Sequence, residues 1–367
     1  MTLLTAIVFL TGFFYLGFLT YFFFGLRKLQ PVSLLPDNQL PDIAVVVAAR
    51  NEEAHIENTV RSLAAQNYPA EKYEIVVVND RSEDATGAIL ERLQDDIANL
   101  RMMTISECMP GLSPKKNALI RAVQTINTAF VAATDADCVH DVNWLRAYAS
   151  SAEESLGVAT GFTIFDKTGY RSTFEYAWQQ MQYLEHNSQH LVTAGSIGQG
   201  LGLSANGNNM MFNAKLYEKY GTQAVKSHIT SGDDFFLIQA AARRNYSLKF
   251  LINQETIVRT LPEPTIRGVI NQRARWASKI GDGSSPVVLF SVNTFLYYLG
   301  ITLYPFSALF GAFSWPIFVT LWGMKILTDT LYVSYGYGKL GLRVPVLYYI
   351  LMQIFHTPFI LLSAIKG

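Results

Sequence analysis

Ala129-Phe130-Val131-Ala132-Ala133-Thr134-Asp135-Ala136-Asp137-Cys138 is the stretch from which the rest of the chain can be read. Its apolar first half has the length and composition of a buried strand. Two carboxylates, Asp135 and Asp137, follow at i and i+2, where a chain leaving regular pleating can aim both at one point. Hard divalent cations such as Mg²⁺ or Mn²⁺ take oxygen ligands, often one or two carboxylates completed by substrate phosphates. The stretch therefore offers a site for a metal–diphosphate complex. A solvated turn capping the next helix is the competing reading, because Asp pairs are common in turns.

The residues upstream repeat the pattern. Ile43 to Ala49 is a continuous apolar run ending at Asn51-Glu52-Glu53, and Tyr73 to Val78 is another ending at Asn79-Asp80. Runs of this kind are typical of strands covered on both faces. Helical periodicity separates them over 54–66, over Ser82 to Leu93 and over Pro114 to Thr125. Leu100 to Ile105 reads as a further short strand. Strand–helix alternation implies parallel pairing with right-handed crossovers. Ligands in such sheets bind at the carboxyl ends of strands. Asn51, Asp80 and Asp135 all fall at such ends, on three strands, which favours the ligand-site reading of Asp135-Ala136-Asp137.

Downstream, Val158 to Phe165 reads as a strand and Thr173 to Leu191 as an aromatic-rich helix. Gly195 to Asn209 carries five glycines and reads as a loop. Met210-Met211-Phe212 behind it looks like a strand, so the loop is not a phosphate cradle backed by a helix. Gly232-Asp233-Asp234-Phe235 precedes a helix. Either carboxylate could cap that helix, or stay ionised at its positive end and serve as a base. Ile266 to Ile280 is a helix in which Gln272, Arg275 and Trp276, at i, i+3 and i+4, share one face. Arginine there suits a phosphate group, and an interfacial anchor is the alternative.

The ends of the chain are apolar. Half of the 367 residues are hydrophobic and 16% are charged, against about 25% in an ordinary soluble domain. Residues 1–26 are free of charge and long enough to span a bilayer. A basic start is missing and bulky aromatics sit where a signal peptide would be cut, so a retained anchor is expected. Residues 27–41, with three prolines, read as a linker. Residues 283–324 and 344–365 are again uncharged, with a basic loop at 325–343, giving about three helices in a membrane domain over 283–367. His356 reads as a packing residue within the last span. Arg27, Lys28, Arg273, Arg275 and Lys279 place residues 29–282 in the cytoplasm by the positive-inside rule. The formal net charge is zero, which gives no case for nucleic acid. Cys108 and Cys138 have no metal-ligand spacing and form no disulfide framework.

Taken together, Val45 to Glu53, Val76 to Thr86, Lys115 to Leu119, Asp135-Ala136-Asp137, Gly232-Asp233-Asp234 and Gln272 to Trp276 resemble glycosyltransferase family 2. The last resembles the Gln-x-x-Arg-Trp motif of its membrane branch, which includes ceramide glucosyltransferase and the polysaccharide synthases. The resemblance implies a GT-A fold, an α/β domain with a mostly parallel sheet, over 42–282, plus transmembrane helices. It implies inverting transfer from a nucleotide-sugar, a UDP-sugar above others, assisted by Mg²⁺ or Mn²⁺. By resemblance Asp80 binds the base, Asn51 and Glu53 meet the nucleoside, and Lys115 lies near the nucleotide. Asp135 contacts ribose and donor sugar, and Asp137 holds the metal with it. Asp234 is the general base, with Asp233 as its rival because Gly-Asp-Asp replaces the more usual Thr-Glu-Asp. Arg275 and Trp276 hold the diphosphate and shape the acceptor entrance, and Gln272 adds amide contacts to the substrate. A lipid acceptor is expected because few spans are present for a polymer channel. A processive polysaccharide synthase, which an oligomer could house, and an inactive membrane scaffold are the alternatives.

Overall fold

Four parallel strands form one half of the central sheet: β1 (Ile43–Ala49), β2 (Tyr73–Asp80), β3 (Leu100–Ile105) and β4 (Phe130–Asp135). The computed structural model describes residues 3–109, 111–166, 172–221, 232–311 and 313–367. Strand order across the seven-stranded sheet is β3-β2-β1-β4-β7-β5-β8. Here β5 is Leu156–Thr160, β7 is Asn209–Asn213 and β8 is Ser247–Phe250. β7 runs antiparallel to both neighbours, β4 and β5. A small parallel pair, β6 (Thr163–Phe165) with β9 (Val258–Thr260), lies apart from it.

The strands are apolar on both faces because helices cover both, as expected for parallel pairing. These are α2 (Ile56–Ala64), α3 (Thr86–Asp96), α4 (Pro114–Val123) and α5 (Trp144–Ser150). Val45, Val47, Ile75, Val77 and Ala132 pack with Val60, Leu63, Leu90, Trp144 and Tyr148 in one continuous core. Asn209 satisfies the buried polar tips of that core: its Oδ1 accepts from Trp144 Nε1 at 2.9 Å and from Tyr148 Oη at 2.8 Å.

The chain forms two compact units rather than consecutive segments. One comprises Leu29–Thr168 and Gly200–Leu261; the other comprises Met1–Lys28, Gly169–Gln199 and Pro262–Gly367. The segment read as a linker packs within the first unit from Leu29 onward. Val32 exchanges two hydrogen bonds with the Asn253 amide, at 2.7 and 2.9 Å, and Arg146 donates to Leu35 O at 2.8 Å.

The second unit is helical: α1 (Leu3–Lys28), α6 (Thr173–Ile197), α9 (Ile266–Ala277), α10 (Ser285–Leu303), α11 (Trp315–Lys339) and α12 (Val346–Lys366). The short α7 (Ala214–Leu216) and α8 (Asp233–Ala242) belong to the first unit. Among the described residues, three helical stretches are long and apolar enough to cross a membrane: Leu3–Lys28, Ser285–Phe310 and Val346–Lys366. α1 crosses α6 with backbone against backbone. A Cβ added at Gly25 would lie 2.0 Å from Gly195 O, and one at Gly198 would lie 2.1 Å from Gly25 O. The glycine at 195 therefore continues a helix at a crossing point and does not open a loop.

The expected basic loop at 325–343 is also corrected, because residues 315–339 form one helix. Lys325 and Asp329 stand at i, i+4 and bond at 2.9 Å, both shielded from solvent. Gln353 accepts from the same ammonium, and Tyr15 Oη donates to Asp329 at 2.7 Å. Charges satisfied inside a helical bundle carry the same sequence signature as charges in a loop.

Candidate active site

Strand register brings the predicted residues to one edge. Ala48 pairs with Asp135 and Ala49 with Asn79, so β1, β2 and β4 end level. Beyond the strand ends, Asn51 and Arg81 adopt φ of 56° and 55°. Non-glycine residues in the left-handed region are uncommon and cluster where a site imposes them. Both lie in loops that are laced together. Asn51 N donates to Ser82 Oγ at 3.1 Å, and Glu83 N donates to Asn51 Oδ1 at 2.9 Å. Glu53 N donates to Asp84 Oδ2 at 3.1 Å, and Ala85 N donates to Glu53 Oε2 at 2.9 Å.

The edge holds a cleft of about 320 Å³ lined by Ala48, Ala49, Arg50, Glu52, Asp80, Pro114, Lys115, Asp135, Ala136 and Asp137. Asp80, Lys115, Asp135 and Asp137 thus share one cavity. Asn51 and Glu53 are absent from its lining; their side chains hold the adjoining loops, while Arg50 and Glu52 face the cavity. Asp80 is buried and bound by its neighbour, with Arg81 Nε at 2.7 Å and Nη2 at 3.2 Å. Asp137 is held by Thr260 Oγ1, which donates to its Oδ2 at 2.9 Å. The loop after Asp137 is pinned by the backbone pair of Val139 and Arg259, at 2.9 and 3.1 Å.

Electrostatics extend the cluster to Asp234. Lys115, in the first turn of α4, forms an ion pair with Asp135. Desolvation works against the Lys115 charge, but Asp135, with Asp234 and Asp233 beyond it, outweighs that and holds the ammonium above the usual lysine range. Asp135 is itself raised, first by desolvation and further by Asp137 and Asp234, despite the opposing Lys115 charge. Glu52 is raised by partial burial and then by the Asp137 charge, with Asp135 and Asp84 adding to it. Asp234 is thus within charge reach of Asp135 and Lys115, although it does not line the cleft. Its Oδ2 accepts from Gly207 N at 3.0 Å and its Oδ1 from Phe235 N at 2.7 Å.

Asp233 has a nearer cation than Lys115. Its side chain is 10% exposed and stands 3.8 Å from the fully buried Lys116 ammonium. The adjacent lysines of α4 therefore serve different acids: Lys115 the Asp135 carboxylate, Lys116 the Asp233 carboxylate. Two lysines in the first turn oppose the helix dipole, and that cost was the available sign that both had carboxylate partners.

Among the described residues, no group of three or more His, Cys, Asp or Glu side chains is arranged to hold a metal. The donor set does fit a cation completed by phosphate oxygens. Asp135 and Asp137 offer carboxylate oxygens on one short turn, and Glu52 and Asp80 line the same cleft beside Arg50 and Lys115.

Gln272, Arg275 and Trp276 lie on α9 in the helical unit. Arg275 is exposed. Arg273, read from the sequence only as a topology-setting charge, is buried and clamps Glu185 of α6, its Nε lying 2.9 Å from Oε2.

Comparison with known proteins agrees with this architecture. The family described as "Glycosyltransferase like family 2" matches residues 41–278. Glycosyltransferase AglE of Haloferax volcanii is 25% identical over 215 residues, covering 58% of this chain and 64% of that protein. Beta-monoglucosyldiacylglycerol synthase of Synechocystis sp. is 33% identical over 97 residues, 26% of this chain and 20% of that one. The chain therefore spans less than two thirds of the length of these relatives. The structure of the mannosyltransferase PcManGT from Pyrobaculum calidifontis, in complex with GDP-Man and Mn²⁺, superposes with a TM-score of 0.65 at 18% identity, covering 99% of this chain and 98% of that one. That likeness establishes a shared fold. With the family match extending over more than half of the chain, the protein belongs to glycosyltransferase family 2, and its α/β unit has the GT-A fold.

Proposed function

We propose that the protein transfers one sugar, with inversion, from a nucleoside-diphosphate donor to a hydroxyl of a membrane lipid. The observation that carries this reading is the cleft shared by Asp80, Asp135 and Asp137, with Asp234 in charge reach of Asp135 and Lys115. A UDP-sugar is the donor implied by the family resemblance.

In this reading the acceptor oxygen bonds to the anomeric carbon as the carbon–oxygen bond to the diphosphate breaks. The nucleoside diphosphate leaves with the bonding pair. Charge at the sugar is oxocarbenium-like in the transition state, as in glycoside hydrolysis. Asp234 takes the acceptor hydroxyl proton, a step worth about 10²–10⁴-fold for a well-placed base. Asp234 is preferred to Asp233 because Asp233 is committed to Lys116. Asp80 orients the base and Asp135 the ribose and donor sugar. Asp135 and Asp137 would hold Mg²⁺ or Mn²⁺, which when bound neutralises charge developing on the diphosphate. Lys115 adds a cation beside Asp135. Asn51 and Glu53 keep the two loops at the cleft in place. Arg275 is assigned to the diphosphate, and Gln272 and Trp276 to the acceptor side, on the strength of the motif.

A lipid acceptor is supported by the three long apolar helices and by the relative named as a glucosyldiacylglycerol synthase. The same helices and the flanking basic residues support a multi-pass membrane protein whose catalytic unit faces the cytoplasm. The test is product analysis with the full chain in detergent, Mn²⁺, a membrane lipid extract, and UDP-glucose, UDP-N-acetylglucosamine or GDP-mannose. One glycolipid carrying a single added sugar is expected. A long glycan would replace this reading with a polymer synthase, and absence of nucleoside diphosphate release with every donor would contradict it.

A further inference from the structure

The motif residues of α9 are held by Arg273, which occupies one of the unspecified positions between Gln272 and Arg275. Arg273 and Glu185 are 3% and 6% exposed at their side chains and face each other as a bidentate pair. Arg273 Nε lies 2.9 and 3.1 Å from the two Glu185 oxygens, and Nη2 donates to Oε2 as well. The remaining face of the guanidinium is also used. Nη1 donates to Gln272 Oε1 at 2.6 Å, and the plane lies over the Trp276 ring at 4.2 Å from its centroid. A single arginine therefore touches both Gln272 and Trp276 and ties them to α6.

Arg273 stands three residues before Trp276, a spacing that brings the two together on the helix, and its long side chain also reaches the neighbouring Gln272. The planar fork matters, because lysine offers one ammonium and cannot hold a carboxylate bidentately while stacking on an indole. A guanidinium over Trp is also a favourable cation–π partner, more so when desolvated.

We propose that Arg273, braced by Glu185, is a positioning residue for sugar transfer: it fixes the Gln272 amide and the Trp276 ring in the orientation the acceptor meets. The proposal rests on the reading of Gln272 and Trp276 as acceptor-side residues. A small misplacement of such groups lowers turnover without weakening donor binding.

The experiment uses the full chain in detergent, labelled with 5-fluorotryptophan, with the Trp276 resonance identified from Trp276→Phe. Arg273→Lys keeps the buried charge and removes the fork. Its expected effects are a shifted Trp276 resonance with the other four tryptophans in place, kcat lowered about tenfold, and donor KM within about twofold of the parent. Kinetics use whichever of UDP-glucose, UDP-N-acetylglucosamine or GDP-mannose the parent chain accepts. An unchanged Trp276 resonance with unchanged kcat overturns the proposal. So does collapse of all five resonances, which would make the pair a folding element only. Trp276→Phe separates the two levels of argument. If it is impaired while Arg273→Lys is not, the motif reading stands and the positioning role fails. If it transfers at the parent rate, the motif reading fails and the positioning role falls with it.

Discussion

Asp233 and Asp234 are neighbours in different surroundings. Asp233 balances Lys116, which is fully buried. Removing one partner of a buried pair leaves an uncompensated charge, at a cost of about 3–5 kcal/mol. Asp233→Asn is therefore expected to lose about 3 kcal/mol of stability, read by denaturant unfolding, whereas Asp234→Asn stays close to the parent. Equal losses would mean the pair is not distinguished by burial. Glu52 makes a second residue-scale case. Its carboxyl is raised by partial burial and by Asp137, so at neutral pH it crowds the carboxylates of the cleft. Glu52→Gln should raise the melting temperature by about 2 °C in the absence of metal and shrink the further rise produced by Mn²⁺. A Mn²⁺ increment unchanged by Glu52→Gln would place the cation away from this edge.

At the scale of elements, β4 and the loop after it are held by a neutral histidine. His140 Nε2 lies 2.9 Å from Thr134 Oγ1 on β4, and Nδ1 lies 3.2 Å from Ser62 Oγ on α2. Burial pushes its imidazole down to about 3. In the unfolded chain it protonates near 6.5, so between the two values the unfolded state binds the extra proton. Stability is then full above about pH 6.5 and falls as pH drops, by about 2 kcal/mol at pH 5. Comparing the pH dependence of unfolding for the parent and His140→Gln isolates this term; identical slopes between pH 5 and 6.5 would remove it. The sheet to which β4 belongs was legible because β1 to β4 are unbroken apolar runs that end in polar clusters. Asp135, Asp80 and Asp137 were legible for the same reason, as acids placed where strands end. Glu52 was not, because nothing in Asn51-Glu52-Glu53 says which carboxylate turns inward and which laces two loops. The partners of Lys116 and Arg273 were not legible because they lie 117 and 88 positions away along the chain.

The whole molecule joins an α/β unit and a helical unit whose segments alternate along the chain. That interleaving was hidden from a reading in consecutive stretches, since α6 and α9 have the amphipathic look of a soluble domain. α11 was hidden for the opposite reason: Lys325 and Asp329 look like loop charges until their mutual bond and Tyr15 are seen. The proposed reading puts the chemistry in the α/β unit and depends on Asp234 acting at the cleft that holds Asp80, Asp135 and Asp137. The most direct measurement is nucleoside diphosphate release by the full chain with Mn²⁺, donor and membrane lipid, comparing the parent with Asp234→Asn. The account predicts retained nucleotide binding and release slowed at least about a hundredfold. Release by Asp234→Asn at the parent rate would contradict it.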